Sequence, residues 1–406
     1  MNQAWRARIE LPFADRMLEL ALPDGWCLDV LRVMGPADLP EPGRALRHTL
    51  ESPVHALPLS KALPASGPVL ILISPAARPG ALPELLREFL VALRQRGLQD
   101  QDIHLMFCHG EGEALGPLGQ EALVGREMLA AHPHFEHDPD GPTRDCGRTE
   151  RGTPVAFNAR LWDYRMLIPL AAVAHHPESG FSGGPDLLAT GAVARMTMDA
   201  YRDLAKGDLA SGQVPGVEPG RLEGNPLYGE LCEVVERVEQ PVFLVNWIEG
   251  SRPGRYAGFW AGELNRAFRR ACQAYMGWRA FSVLSPGYDL VLSASGGTPG
   301  DDHAPRVATG MINASRLLKP GGHLLHLARC GQGFVLPTEV LRRLRSAAAH
   351  FSFHLVSELP PELVSGLGIV PGEKLEQSFK TILAALPDDP MVAFFPDALE
   401  FLPVYA

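Results

Sequence analysis

The sequence lacks the features that mark several common classes of protein. No stretch of its 406 residues approaches the roughly 18 consecutive apolar residues that a membrane-spanning helix needs, so we expect no membrane partner. The first residues carry no apolar stretch of the kind found in a signal peptide. The six cysteines are scattered and form no CxxC pair, which is typical of a reduced protein without a disulfide framework. Together these absences predict a cytoplasmic protein.

The chain also lacks the positive charge that a nucleic-acid-binding protein normally presents. Its formal net charge is -10, and no run of lysine and arginine is long enough to contact a row of phosphates. The nearest candidate, Arg342-Arg343-Leu344-Arg345, follows a helical pattern and is interpreted as a solvated helix face. Nucleic acid is therefore not an expected partner. With 46% hydrophobic and 21% charged residues, the chain has a globular composition and enough apolar material for a packed core.

The apolar pattern predicts an α/β fold. Residues 68–74 form an unbroken apolar run that ends in turn residues, which is typical of a strand buried on both faces. A helical pattern over 82–95 and a second apolar run over 103–108 complete a unit with two parallel strands. The same alternation returns in the last third of the chain, and 406 residues exceed one ordinary core. We therefore predict two α/β domains with mainly parallel sheets, over residues 1–265 and 266–406.

Three segments at predicted strand ends could take part in chemistry. Arg78 follows the first buried strand, where a guanidinium can bind an anion through two hydrogen bonds, although a surface arginine would give the same pattern. His109 follows the next strand, and imidazole transfers protons near neutral pH, although a lone histidine is more often structural. The segment Gly180–Gly184 precedes a predicted helix, so its backbone N–H groups predict an anion-binding turn, with a flexible connection as the alternative.

Two further motifs give competing hypotheses. The run His132-Pro-His134-Phe-Glu-His137-Asp138 could bind a metal ion, but its spacing matches no standard zinc pattern, and a hydrogen-bonded corner at His137-Asp138 is favoured. Gly180-x-Ser182-x-Gly184 matches the nucleophile elbow of α/β-hydrolases, with Ser182 as the nucleophile. That elbow follows its strand directly, whereas His176-Pro-Glu-Ser intervenes here, so the hydrolase hypothesis is disfavoured.

Along most of the chain, the order of these segments resembles that of the lactate racemase family. No single match is decisive, and the order and spacing of the set carry the resemblance. The matches are Pro58-Leu-Ser-Lys61, Arg78-Pro79, His109, His137-Asp138, the Gly152/Pro154/Asn158 stretch, His176 with Gly-Phe-Ser-Gly-Gly, Gly224-Asn225-Pro226, Ala261-Gly262, Gly296-Gly297-x-Pro299-x-Asp301, Gly310-Met311 and Gly321-Gly322.

The resemblance implies an enzyme with an active-site cleft between two domains that racemises or epimerises a small α-hydroxy acid. Such enzymes use a nickel-pincer nucleotide, which accepts hydride from C2 of the substrate. One histidine removes the hydroxyl proton, and a second assists the return of hydride to the other face. The matching positions are His109 and His176 as the catalytic pair, and Arg78, Ser182, Gly183 and Gly184 as cofactor-binding residues.

The chain departs from the family at cofactor and substrate positions. Asp186 stands where the family has the lysine that tethers the cofactor. The region of the family's nickel-binding histidine holds Asp199-Ala-Tyr201-Arg202, and residues 177–302 contain no histidine. Methionine and tyrosine are poorer nickel ligands, so Met196, Met198 and Tyr201 are weak substitutes.

Further departures lie three residues before Arg78 and at the substrate positions. Pro75 replaces an aspartate, and Arg306 and Thr309, the predicted substrate-binding residues, replace a glutamine/lysine pair. Two hypotheses follow from the departures. The first is a racemase with an untethered or altered cofactor, and the second is a cofactor-free relative that binds a small carboxylate without racemase activity.

Overall fold

A computed structural model gives the fold. The residues it describes are 5–31, 35–74, 81–110, 114–210, 216–250, 254–283, 287–298, 300–302, 304–336, 338–396, 398–399 and 401–405. The chain divides into two compact units, one formed by Gly35–Trp278 and the other by Met1–Met34 with Arg279–Ala406. Each unit contains one six-stranded sheet whose neighbouring strands are mainly parallel. The predicted fold class is therefore confirmed.

Both units contain strands and helices. The strands are β1 Trp5–Phe13, β2 Arg16–Pro23, β3 Leu28–Val30, β4 Val69–Ile73, β5 Ile103–Phe107, β6 His134–Glu136, β7 Thr143–Arg148, β8 Pro154–Asn158, β9 Met166–Ala172, β10 Ala174–His176, β11 Gly180–Ser182, β12 Leu244–Glu249, β13 Tyr256–Gly262, β14 Ala280–Val283, β15 Tyr288–Ala294, β16 Leu318–Leu327, β17 Ser352–Val356, β18 Val370–Gly372, β19 Val392–Phe395 and β20 Leu402–Tyr405. The α-helices are α1 Pro42–Glu51, α2 Leu59–Ala62, α3 Ala81–Arg94, α4 Gly116–Val124, α5 Arg126–Ala131, α6 Pro185–Ala189, α7 Arg195–Ala210, α8 Pro226–Val235, α9 Leu264–Arg279, α10 Ala304–Ser315, α11 Thr338–Ala348, α12 Pro361–Ser365 and α13 Leu375–Leu383. None of the helices in the described ranges is both long and apolar enough to cross a membrane.

The Gly35–Trp278 unit is built on the sheet β13-β12-β9-β4-β5-β6. Every residue of β4 is buried. Leu70 and Leu72 lie in one apolar core, whereas Val69, Ile71 and Ile73 lie in another. Successive side chains of a strand point to opposite faces, so this division shows that both faces of the sheet are covered. The expected pairing of the two apolar runs is confirmed, because β4 and β5 are parallel neighbours.

The second unit has the all-parallel sheet β18-β17-β16-β15-β19-β3. Residues 1–34 belong to this unit and not to the predicted domain 1–265, and the change of unit falls at residue 278/279 and not at 265. Two interactions explain the difference. Strand β3 pairs with β19 at the sheet edge, and the hairpin β1–β2 buries Leu11 and Leu20 in the same core as residues of β15. Such long-range pairing leaves no local trace in the sequence.

Candidate active site

His109 lies just beyond the carboxyl end of β5, as its sequence position predicts. Its Nε2 atom is 2.9 Å from the backbone carbonyl oxygen of His137. A carbonyl oxygen only accepts hydrogen bonds, so Nε2 carries the proton that is donated. In the neutral ring, the lone pair is therefore on Nδ1, which makes Nδ1 the atom that can accept a proton from a substrate.

The side chain of His137 is a structural support behind His109. It is 2% exposed, and its Nε2 donates to the carbonyl of Val193 at 2.7 Å. The Asn158 amide donates to its Nδ1 at 3.0 Å. Burial is the main cause that lowers the pKa of His137, so the ring is neutral near pH 7. The predicted hydrogen-bonded corner is confirmed.

The other histidines of this run also contact the backbone. Nδ1 of His132 is 3.1 Å from the carbonyl of Asp100, and Nδ1 of His134 is 3.0 Å from the carbonyl of His132. These contacts engage one ring nitrogen of each side chain with main chain. They support a structural role for the run and not the metal-site hypothesis.

His176 ends β10, which forms a short antiparallel hairpin with β11 and pairs His176 with Gly180. Its Nδ1 atom accepts hydrogen bonds from the backbone N–H of Ser179 at 3.1 Å and of Glu178 at 3.3 Å. Two donors aimed at Nδ1 require a lone pair there, so the neutral ring carries its proton on Nε2. His176 is thus arranged as a hydrogen-bond donor, whereas His109 is arranged as a proton acceptor.

The hairpin depends on glycine at position 180. Gly180 has φ +85°, and a Cβ atom there would overlap the carbonyl oxygen of Arg221. Any other residue would therefore be both strained and obstructed. Ser182 lies within β11, opposite Ala174, and its φ is outside the left-handed region. This geometry differs from the strained strand-to-helix turn that exposes a hydrolase nucleophile, and it counts against the hydrolase hypothesis.

The predicted anion-binding turn contains an anion supplied by the chain itself. The carboxylate of Asp186 accepts hydrogen bonds from the N–H of Gly184 at 2.7 Å and of Gly183 at 3.1 Å. Burial raises the pKa of Asp186, and the bonds from the glycine backbone oppose that rise. The two N–H groups that were predicted to bind a ligand anion are therefore engaged by Asp186.

Asn246 fixes this turn to the sheet and was not among the predicted site residues. It is fully buried in β12, and its amide donates to the carbonyl of Gly183 at 2.6 Å and of Ala171 at 2.9 Å. A single asparagine at the end of the apolar run Pro241-Val-Phe-Leu-Val-Asn246 was the available signal. Because buried amides need partners, that asparagine indicated a polar contact inside the core.

Helix α6 connects the glycine turn with the strand end that carries His109. A Cβ atom at Gly191, just beyond this helix, would lie 2.8 Å from Cβ of Cys108, and one at Gly110 would lie 3.8 Å from Oγ1 of Thr190. The helix begins directly after Gly183 and Gly184. The same unit thus contains His109, the His176 hairpin and the turn at Ser182–Gly184.

The remaining predicted residues lie elsewhere. Arg78 is outside the described residues. Arg306 and Thr309 belong to α10 of the other unit. Arg306 is partly buried, and the Thr309 hydroxyl donates to the carbonyl of Pro305 at 2.8 Å within its own helix. That hydroxyl keeps its lone pairs as acceptors for a ligand.

Comparisons with known proteins agree with this architecture. A family model described as the lactate racemase N-terminal domain matches residues 13–205. A lactate racemase of Thermoanaerobacterium thermosaccharolyticum is 20% identical over 337 residues, which cover 80% of this chain and 75% of that protein. A lactate racemase of Lactiplantibacillus plantarum is 22% identical over 213 residues, covering 52% of this chain and 47% of that protein. The lactate racemase apoprotein structure from the first organism has a TM-score of 0.83 at 18% identity, covering 98% of this chain and 100% of that one.

Proposed function

We propose, because this chain belongs to the lactate racemase family, that it is a racemase or epimerase of a small α-hydroxy acid. The observation that carries the proposal is the complementary arrangement of His109 and His176. One ring has its lone pair on Nδ1 and the other has its proton on Nε2. A proton acceptor and a hydrogen-bond donor are what the chemistry of a hydroxyl group beside a carboxylate requires.

In the proposed mechanism, Nδ1 of His109 accepts the proton of the substrate hydroxyl. The neutral Nε2–H of His176 donates a hydrogen bond to a substrate oxygen on which negative charge develops. A neutral imidazole can act as such an electrophile because its position is fixed before the reaction begins. The substrate-binding role of Arg306 and Thr309 stays a prediction from the family resemblance.

The described residues do not fit the nickel-pincer nucleotide that the resemblance implies. Asp186 cannot form the linkage made by a lysine amine, and it also uses the Gly183 and Gly184 N–H groups. On α7, Asp199 pairs with Arg202 at 2.9 Å in the region of the family's nickel-binding histidine. Among the residues described, no group of three or more His, Cys, Asp or Glu side chains could hold a metal ion. The steps assigned to this chain's own groups are therefore only the transfer of the hydroxyl proton and the binding of the substrate. Inversion also requires the C2–H bond to break, and because no side chain accepts hydride, an untethered or altered cofactor would have to supply the acceptor.

The engagement of the glycine turn by Asp186 favours a second candidate function. In this alternative the protein is a cofactor-free relative that binds a small carboxylate without racemase activity. The histidine pair would then form hydrogen bonds to the ligand without exchanging its hydrogen atoms. Both candidates have the same ligand class and differ in whether C2 is inverted.

One experiment separates the candidates. Enantiopure 2-hydroxy acids are incubated in D₂O with protein purified from its own host, and inversion and deuterium at C2 are followed by chiral chromatography and mass spectrometry. Binding of the same acids is measured by calorimetry. His109→Gln and His176→Gln are compared with His134→Gln, a control at an exposed histidine of β6.

Inversion that is lost in the first two variants and kept in the control supports the racemase. Inversion that both active-site variants retain contradicts the two-histidine mechanism. Saturable binding without inversion supports the second candidate, and the absence of both binding and inversion refutes the two candidates together.

A further inference from the structure

We infer that Asn225 is a positioning residue for His176, because its side-chain amide holds the backbone turn that keeps the ring proton of His176 on Nε2. The inference rests on the proposed function in one respect only: the proposed function gives the Nε2 proton of His176 its role as a hydrogen-bond donor to the substrate. Asn225 belongs to Gly224-Asn225-Pro226, a motif that the proposed mechanism leaves without a purpose. It is 3% exposed.

The two ends of the Asn225 amide serve different segments. Its Oδ1 accepts hydrogen bonds from the N–H of Leu227 at 3.0 Å and of Tyr228 at 3.3 Å, which caps the start of α8. Its Nδ2 donates to the carbonyl of Glu178 at 2.8 Å and of Arg221 at 3.1 Å. The amide therefore joins the helix start to the turn that follows His176.

Glu178 couples the amide to the ring. Its backbone carbonyl accepts from Asn225, while its backbone N–H and that of Ser179 donate to Nδ1 of His176. A second backbone contact supports the same turn, because the N–H of Gly220 donates to the carbonyl of Gly180 at 2.8 Å. Both contacts come from the segment 216–226, which contains Gly220 and Asn225.

The turn selects one tautomer for an electrostatic reason. If Nδ1 were protonated, its N–H would face the N–H groups of Glu178 and Ser179, and three donors would meet without an acceptor. The neutral Nε2–H form avoids this conflict while the turn keeps its shape. A looser turn would allow the ring to sample both tautomers and the imidazolium.

The two roles of Asn225 can be separated by substitution. Asn225→Asp keeps an oxygen that caps α8, because aspartate is a good N-cap residue. It replaces the amide N–H donors with a carboxylate oxygen facing the carbonyls of Glu178 and Arg221. Asn225→Ser also keeps a capping oxygen, but its side chain is shorter and carries no amide, so it serves as the second variant if the aspartate does not fold.

The test is ¹⁵N NMR of histidine-labelled full-length protein, with the signals of His176 assigned by their loss in His176→Gln. In the unmodified protein we expect separate signals for an unprotonated Nδ1 and a protonated Nε2. In the folded Asp or Ser variant these two signals should move toward each other. The signals of His134 should not move.

Unchanged His176 signals in a folded variant would overturn the inference. The spectra report the tautomer whether or not the protein turns over a substrate, so this result is independent of the proposed function. If the protein is a racemase, the same variants should also lower kcat and leave KM nearly unchanged. Shifted signals together with no inversion by unmodified protein would refute the racemase and leave the positioning role intact.

Discussion

Replacing Asp186 tests how the glycine turn is stabilised. In Asp186→Ala the N–H groups of Gly183 and Gly184 lose a carboxylate at 3.1 Å and 2.7 Å. Hydrogen bonds to a charged group contribute about 1.5–3 kcal/mol each, so the gross loss is roughly 3–6 kcal/mol. Burial of the carboxylate offsets much of this sum, as its raised pKa shows. Part of the Asp186 side chain is still exposed, so in the Ala variant water can reach the two N–H groups. We expect a net loss of about 1–2 kcal/mol in the free energy of unfolding at neutral pH.

Asp186→Asn is the matched control, because its Oδ1 can still accept from the turn without a charge. It should cost less than about 1 kcal/mol. The pH dependence has a definite sign. The folded pKa lies above the ordinary value of 3.8, so over that interval the folded chain keeps a proton that the unfolded chain has lost. The stabilising effect of this carboxyl therefore decreases as pH rises from 3.8 through the folded pKa.

Urea denaturation of both proteins, from about pH 4 to about pH 8, measures this effect directly. The unfolding free energy of Asp186→Asn, minus that of the unmodified protein, should increase as the pH rises from about 4. A difference that stays flat with pH, or that decreases, would refute the assigned environment of Asp186. An Ala variant as stable as the unmodified protein would show that the two hydrogen bonds make no net contribution to stability.

Three further predictions concern other parts of the chain. Protein from a host shown to make the nickel-pincer nucleotide should carry no covalently attached nucleotide in denaturing mass spectrometry, because Asp186 cannot form the lysine linkage; a covalent nucleotide-sized mass would contradict this reasoning. The Oδ2 of Asp301 accepts a hydrogen bond from the N–H of Ala14. Asp301→Ala should therefore lower the free energy of unfolding by about 2–4 kcal/mol and speed amide hydrogen exchange in β1–β2. Asp301→Asn is the control, and unchanged exchange in the Ala variant would contradict this anchoring role. Burial lowers the pKa of His326 to about 3 against an ordinary 6.5, so its contribution to stability is complete above pH 6.5 and decreases by up to about 5 kcal/mol toward pH 3. His326→Gln should make the acid dependence of unfolding shallower, and an unchanged slope would count against this reasoning.

Local sequence patterns were sufficient to predict much of the Gly35–Trp278 unit. An unbroken apolar run predicts a doubly covered strand, because burial on both faces leaves no position for a polar side chain, and β4 has this environment. The place of His109 followed from the same rule, since loops at the carboxyl ends of parallel strands meet at one edge of the sheet. The hydrogen-bonded corner at His137 was likewise expected from sequence.

Other features depended on contacts between distant residues. Residues 1–34 belong to the second unit because β3 pairs with β19, which is more than 350 residues away in the chain. The roles of Asn225 and Asn246 likewise depend on which carbonyl groups the fold brings next to their amides.

Asp186 shows most clearly what each level of description contributes. Its identity alone excludes the lysine linkage, because a carboxylate cannot supply an amine. Only the tertiary structure shows its carboxylate bonded to the Gly183 and Gly184 N–H groups, and only the backbone geometry gives His109 and His176 opposite ring protonation. The physical reason is that sequence fixes which donors and acceptors exist, whereas the direction of each hydrogen bond depends on how folding orients the backbone around it.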